Sequence, residues 1–126
     1  METVAVGGKG TIGLGTEGII HFAWNPGIVL EADDVHLAMA KVNEIAANRE
    51  LPMLVDMGST HAVTRQAKSV FVIPCAASRI ALLGSSAVDR IIANYTIGRQ
   101  HALPCPTRFF TSRSEATHWL LKSSDS

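Results

Sequence analysis

The sequence predicts an α/β fold, with an N-terminal β-hairpin followed by alternating strands and helices that form a mainly parallel sheet with flanking helices. Strand-like and helix-like segments alternate from about residue 33 onward, which is typical of parallel strands joined by helical connections. The segments before residue 25 are strand-like and are separated by glycine-rich turns. The length of 126 residues suits a single domain spanning 1–126.

The N-terminal hairpin is predicted from a short apolar strand, a turn and an alternating segment. Thr3–Val6 has the character of a strand, and Gly7–Gly10 follows as the turn. Side chains alternate in character from Gly18 to Trp24, and a period of two indicates a strand. The residues that share its more apolar face are Ile20, Phe22 and Trp24.

Four segments with apolar residues at a spacing of three and four predict helices. Asp33 and Asp34 open the first, since carboxylates suit the positive end of a helix, and its pattern runs to about Arg49. The last begins with a capping box, Ser112-Arg113-Ser114-Glu115. The two between them begin at Thr64 and at Ser85 or Ser86, and they end at Pro74 and Gly98.

Three apolar runs between these helices predict the parallel strands. They are Met53–Val55, Ile80–Leu83 and Thr107–Thr111. The continuous apolar character of the first two is typical of strands that are covered on both faces. We also expect Trp24 and Trp119 to be mostly buried on the core faces of their strand and helix.

The composition argues against several classes of protein. Eleven basic and eleven acidic residues give a formal net charge of zero, whereas nucleic-acid-binding domains usually carry a basic excess. The longest apolar runs are too short to span a membrane. Cys75 and Cys105 do not form a CxxC pair. We therefore expect two thiols in a reducing compartment and a cytoplasmic protein.

A glycine motif near the N-terminus has the spacing of a dinucleotide-binding turn. Gly8-Lys9-Gly10-Thr11-Ile12-Gly13 matches GxGxxG, and Asp33 follows 20 residues later. A dinucleotide site requires the motif to open a helix that meets the pyrophosphate. The next predicted element here is a strand, so the motif is interpreted as part of a hairpin turn and no cofactor is expected.

No convincing catalytic or metal site is found in the sequence. Asp56, Ser59 and His61 include a nucleophile and a base, but triad side chains usually converge from separate elements. Asp56 is better interpreted as the end of a strand whose carboxylate binds loop amides. The histidines lack the spacing of a zinc site, so we expect no metal and no enzymatic activity. They are His21, His36, His61, His101 and His118.

The segment from Leu54 to Ala67 resembles the centre of SpoIIAA-like (STAS) domains, in which a buried strand ends in Asp and a loop leads to a capped helix. Anti-sigma factor antagonists of that family carry an Asp-Ser-Ser-Gly signature at the helix start. Aligned without gaps from Asp56, this signature falls on Thr64-Arg65-Gln66-Ala67. The phosphorylatable serine therefore falls on Gln66, which implies that the family's phosphorylation switch is missing.

Three further segments resemble an uncharacterised, actinobacterial-type branch of the same group, and the resemblance covers residues 11 to about 121. They are Arg79–Leu83, Arg90–Tyr95 and Pro106–Thr111. The resemblance implies a non-enzymatic, regulatory module that binds a protein partner. A small-molecule domain for an apolar ligand or a nucleotide is the alternative, and a pocket between the sheet and the Val88–Tyr95 helix would favour it.

The candidate partner surface is the start of the helix near Thr64 together with the loop before it. Helix N-termini expose amide donors and the positive end of the dipole, which suits a partner's carboxylate or a small anion. The candidate residues are Ser59, Thr60, His61, Thr64, Arg65 and Gln66.

A homodimer is predicted from the excess of apolar residues around Ile97. At 100° per residue, Ile97 lies away from the Val88–Tyr95 face, and an uncovered apolar patch usually marks an interface. Light scattering checks this: 13.5 kDa indicates a monomer, and about twice that mass a two-fold dimer. Ile97→Lys should shift a dimer toward monomer, because burying an unpaired charge is costly. If the protein is a dimer and Ile97→Lys does not dissociate it, the interface lies elsewhere on the surface.

Overall fold

The computed structural model describes residues 3–58, 61–70, 76–84, 87, 89–91 and 105–122. The strands are β1 (Thr3–Val6), β2 (Gly10–Leu14), β3 (Ile20–Trp24), β4 (Val29–Leu30), β5 (Leu51–Asp56), β6 (Ala62–Val63), β7 (Ala77–Leu83) and β8 (Thr107–Phe110). The helices are α1 (Ala32–Ala46), α2 (Arg65–Val70) and α3 (Arg113–Leu121), and Ala87 and residues 89–91 are also helical.

Six strands form one sheet in the order β1-β2-β3-β5-β7-β8. The first three pair antiparallel, and every pair from β3 to β8 is parallel. The predicted fold class is therefore confirmed. A second, two-stranded sheet joins β4 and β6 in parallel. The sequence did not predict it, because two residues are too few to show a period.

The glycine motif turns the chain between β1 and β2 and opens no helix. Gly7 and Gly8 have φ angles of 58° and 73°, a left-handed conformation that glycine adopts at no steric cost. The Lys9 amide donates to the Val6 carbonyl at 3.1 Å. The remaining motif residues belong to β2, which was not predicted as a separate strand and lies between the two predicted ones.

Each face of the sheet is covered by a different helix. Met53 in β5 belongs to the cluster under α1, and Leu54, its neighbour, to the cluster under α3. The predicted apolar face of β3 is confirmed, because its residues lie in the α1 cluster. Burying one such large side chain contributes roughly 1.5–3 kcal/mol. The largest fully buried side chains of the sheet are Val6, Ile12, Ile20 and Leu54.

The two tryptophans lie on the predicted core faces of their strand and helix and are partly buried there. Trp24 and Trp119 are both partly exposed, although each packs against a core cluster. Trp24 is the last residue of β3, and Trp119 lies against Phe110 of β8, the outermost strand. Each indole is therefore shielded in part by the core cluster against which it packs.

The helix boundaries follow local hydrogen bonds. Thr64 and Ser112 are confirmed as N-caps, with side-chain oxygens accepting the amides three residues on at 3.1 and 3.3 Å. α1 ends at Ala46, before the predicted Arg49, because Ala47 and Asn48 adopt left-handed φ angles of 52° and 71°. A helix cannot continue through two such residues.

Lys9 ties the hairpin turn to the start of α1. Its Nζ lies 2.8 Å from Asp34 Oδ2 and 3.6 Å from Glu31 Oε2, and it donates to the Val29 carbonyl at 3.1 Å. Asp34 also accepts the Glu31 backbone amide at 2.9 Å. The hydrogen bond to Asp34 raises the pKa of Lys9 above 10.5, partly opposed by desolvation and supported by the charges of Asp34 and Glu31.

The contribution of Lys9 to stability should disappear at alkaline pH. Because folding raises its pKa, the contribution is complete below the unfolded value near 10.5 and is lost as the pH rises through the folded value. Lys9→Met should therefore destabilise the protein more at about pH 8 than at a pH well above 10.5, measured by urea denaturation. Lys41→Met is the control, since Lys41 forms an exposed pair with Glu44 within α1. An equal loss at both pH values would contradict the assignment.

Candidate functional site: a cleft at the carboxyl ends of the parallel strands

The four parallel strands β3, β5, β7 and β8 end at one edge of the sheet. Their hydrogen bonding continues past the strand ends, with the Met57 amide donating to the Leu83 carbonyl at 2.8 Å. The Gly84 amide likewise donates to the Phe110 carbonyl at 3.0 Å. The loops that follow these strands therefore begin at the same edge of the sheet. In open α/β sheets, ligands bind in the crevice outside this edge.

A cleft of about 560 Å³ opens at this edge. It contains two carboxylates, one guanidinium and one hydroxyl, set among apolar side chains and two glycines. The lining residues are Trp24, Pro26, Asp56, Gly58, Leu83, Gly84, Asp89, Thr111 and Arg113.

Asp56 and Arg113 form a charged pair at the cleft. Asp56 is the last residue of β5, and its Oδ1 accepts the Gly58 amide at 3.0 Å, which confirms the expectation that it binds a loop amide. Its Oδ2 lies 3.3 Å from Nη2 of Arg113, the first residue of α3. The side chains are 40% and 56% exposed. Such a pair contributes less than about 1 kcal/mol, so an incoming charged group can replace either partner.

Asp89 is a buried carboxyl group in the wall of the cleft. It is 0% exposed and belongs to the helical residues 89–91. Gly84 makes its position possible, because a Cβ at Gly84 would lie 2.7 Å from Cβ of Asp89 and 2.9 Å from the Phe109 ring. The glycine that ends β7 therefore lets a helical segment approach the strand closely.

Gly58 lines the cleft at the start of the loop that follows β5. Its φ angle is +65°, and an added Cβ would collide with the backbone carbonyl oxygen of Trp24. Two independent requirements, a left-handed backbone and a close backbone approach, thus favour glycine at this position.

The candidate partner residues that the structure describes lie on the connection between β5 and the start of α2. His61, Arg65 and Gln66 are exposed, and Thr64 is half-buried as the cap of α2. The His61 and Thr64 amides donate to the carbonyls of Ile28 and Leu30 at 2.8 and 2.9 Å, which fixes the connection against β4. Ser59 and Thr60, and Ile97 of the predicted dimer, lie outside the described residues.

The sequence did not identify Arg113 or Asp89 as site residues. Arg113 was interpreted only as part of a capping box, and it lies 57 residues from its partner Asp56. The sequence marked this site only through local features: Asp56 ends one buried strand, and Gly84 follows the next. Neither signal predicts which distant side chain approaches.

The cleft does not assemble the groups of a nucleophilic enzyme within the residues that the structure describes. The carboxylate of Asp56 binds Gly58 and Arg113 and forms no hydrogen bond with His61. In the described part of the chain, no three His, Cys, Asp or Glu side chains come together as a metal site, and none of the helices is long and apolar enough to cross a membrane.

The architecture is that of the SpoIIAA-like fold. A crystal structure of an uncharacterized DUF3478-family protein with this fold, from Shewanella loihica PV-4, matches with a TM-score of 0.61 and 16% identity. The match covers 88% of this chain and 91% of that one. At this identity the likeness establishes the fold alone.

The family model described as "Domain of unknown function (DUF7793)" matches residues 14–124, and the chain belongs to this family. A structure of a protein with unknown function from Arthrobacter sp. FB24 is 48% identical, over 89% of this chain and 99% of that one, with a TM-score of 0.36. The unphosphorylated anti-sigma factor antagonist SpoIIAA is 13% identical, over 87% and 96% of the chains, with a TM-score of 0.49. No curated protein matches the sequence.

Substituting Gly58 should cost more stability than substituting Gly27. Both residues have left-handed φ angles, +65° and +72°, but an added Cβ meets Trp24 at Gly58 and open space at Gly27. Gly27→Ala should cost about 1–2 kcal/mol from conformation alone, and Gly58→Ala should cost at least about 1 kcal/mol more because the backbone must move. Urea denaturation measures both, and equal losses would show that the close approach is absent.

Proposed function

We propose that this chain is a non-enzymatic, regulatory module of the SpoIIAA-like type that binds a protein partner at the carboxyl edge of its parallel sheet. The observation that carries the proposal is the exposed Asp56–Arg113 pair at the mouth of the cleft. The exposed side chains of His61 and Arg65, on the connection that follows β5, are the second part of the proposed surface.

A protein partner suits the mixed character of this edge. Val29 of β4 is 40% exposed and pairs in register with Ala62 of β6. Protein interfaces combine exposed apolar residues such as Val29 with polar and charged residues such as His61 and Arg65. The described part of α2 begins at Arg65, where the exposed side chains of Arg65 and Gln66 can carry the recognition.

The proposed module works without the serine phosphorylation of its fold relatives. Gln66, at the position of the acceptor serine, has no hydroxyl group to phosphorylate. The hydroxyl of the neighbouring Thr64 accepts the Ala67 amide at 3.1 Å and caps α2. Intact mass of protein from native cells should therefore show no stoichiometric phosphate.

A small-molecule site is the second candidate, and the cleft is the observation that favours it. Its volume of about 560 Å³ falls within the roughly 300–1,000 Å³ of ligand pockets. The predicted pocket against the Val88–Tyr95 helix falls largely outside the described residues.

Site-specific photo-crosslinking in native cells tests the protein-partner proposal. A photoreactive residue replaces Arg65 in one variant and His61 in a second. The control replaces Glu44, whose side chain is 72% exposed on α1. We expect the same protein to be captured from positions 65 and 61 and not from position 44.

Capture of the same protein from position 44 with equal yield would contradict the proposed surface. Native mass spectrometry of the protein purified from those cells distinguishes the second candidate. A bound small molecule that Asp56→Ala releases, together with no crosslinked protein, would replace the partner with a ligand.

A further inference from the structure

A second surface lies on the α3 side of the outermost strand, away from the cleft. Trp119 of α3 stacks near Phe110 of β8, with ring centroids 5.7 Å apart. Two guanidinium groups lie over the same indole, Arg79 of β7 at 5.2 Å and Arg108 of β8 at 5.7 Å. We call these four residues the arginine–indole cluster.

Arg79 is the structural member of the cluster. Its Nη1 donates to the Trp119 carbonyl at 2.8 Å, and this carbonyl, in the last turn of α3, also accepts the Lys122 amide at 3.3 Å. The positive charge also suits the negative end of the helix dipole. Arg79 therefore holds α3, and with it Trp119, in a fixed position on the sheet.

Arg108 is exposed, and its side chain is positioned by two aromatic rings rather than by a polar partner among the described residues. Its guanidinium lies 5.3 Å from the Phe110 ring centroid as well as over Trp119. Within the described residues it forms neither a hydrogen bond nor an ion pair. The two rings restrict the side chain, so its N–H donors can bind a ligand with less loss of conformational entropy.

Among the residues that the structure describes, no carboxylate forms an ion pair with either arginine of the cluster. Arg108 is opposite Ala81 of β7, so Arg79, two residues earlier, lies on the same face of the neighbouring strand. Like charges so arranged repel each other. Glu115, one turn before Trp119 on α3, forms an ion pair with neither arginine.

We propose that the arginine–indole cluster is a docking site for an acidic segment of a partner protein, with Arg108 as the group that binds its carboxylate. A planar guanidinium binds a carboxylate through two parallel hydrogen bonds. Trp and Arg are the residues most enriched where protein interfaces concentrate their binding energy. A chain of zero net charge with two clustered arginines lacks the basic surface that nucleic acid requires.

Fluorescence anisotropy of a labelled hexaglutamate peptide, at about 20 mM salt to limit screening, tests this site. Arg108→Ala should weaken binding about tenfold or more, as expected for loss of a charge-assisted hydrogen bond. Arg108→Lys should recover part of the loss, because it restores the charge but not the planar pair of donors. The matched control is Arg90→Ala, since Arg90 is also exposed and lies 5.0 Å from an aromatic ring, that of Phe109.

Equal weakening by Arg90→Ala, or full recovery by Arg108→Lys, would show binding by general charge and overturn the proposal. Tighter binding of an oligothymidylate with the same dependence on Arg108 would replace the acidic protein with a nucleic acid. Titration of the wild-type protein, followed through its arginine Nε–H signals by NMR, requires no variant to fold. The Arg108 signal should move more than that of Arg90, and the reverse order would also refute the site.

Discussion

Burial of the central strand β5 on both faces is the constraint on which the rest of the structure depends. Met53 is 7% exposed and Leu54 1%, and successive side chains of a strand point to opposite faces. One uncovered face would leave large apolar side chains in water at a cost of roughly 1.5–3 kcal/mol each. α1 therefore covers the face that carries Met53, and α3 covers the face that carries Leu54.

Because both faces of the sheet are covered, the exposed charged groups of the cleft and of the arginine–indole cluster lie at its margins. At the carboxyl edge, Asp56 and Arg113 compensate each other in a pair that remains exposed. At the outer strand, Arg108 lies on two aromatic rings without a carboxylate partner in the described structure. The two margins therefore suit different groups: the cleft offers both signs of charge, and the arginine–indole cluster offers one.

Local patterns predicted much of the fold and part of the candidate site. The caps at Thr64 and Ser112 and the loop-binding role of Asp56 depend on residues two or three positions apart. The strand β2 was missed because its segment contains two glycines and no clear alternation. Gly10 has a tertiary reason, since a Cβ there would lie 2.7 Å from the Ala23 carbonyl oxygen on the neighbouring strand.

The sequence by itself determined the type of most elements and the face that each presents to the core, because periodicity and capping act within a few residues. It also determined that position 66 carries no phosphorylatable side chain. Only the tertiary structure decided that Arg113 meets Asp56 and that Arg79 and Arg108 share one indole. Arg113 and Asp56 are 57 positions apart in the sequence, and Arg79 and Trp119 are 40 positions apart. Strand order and helix placement bring such residues together, and no local pattern encodes that order.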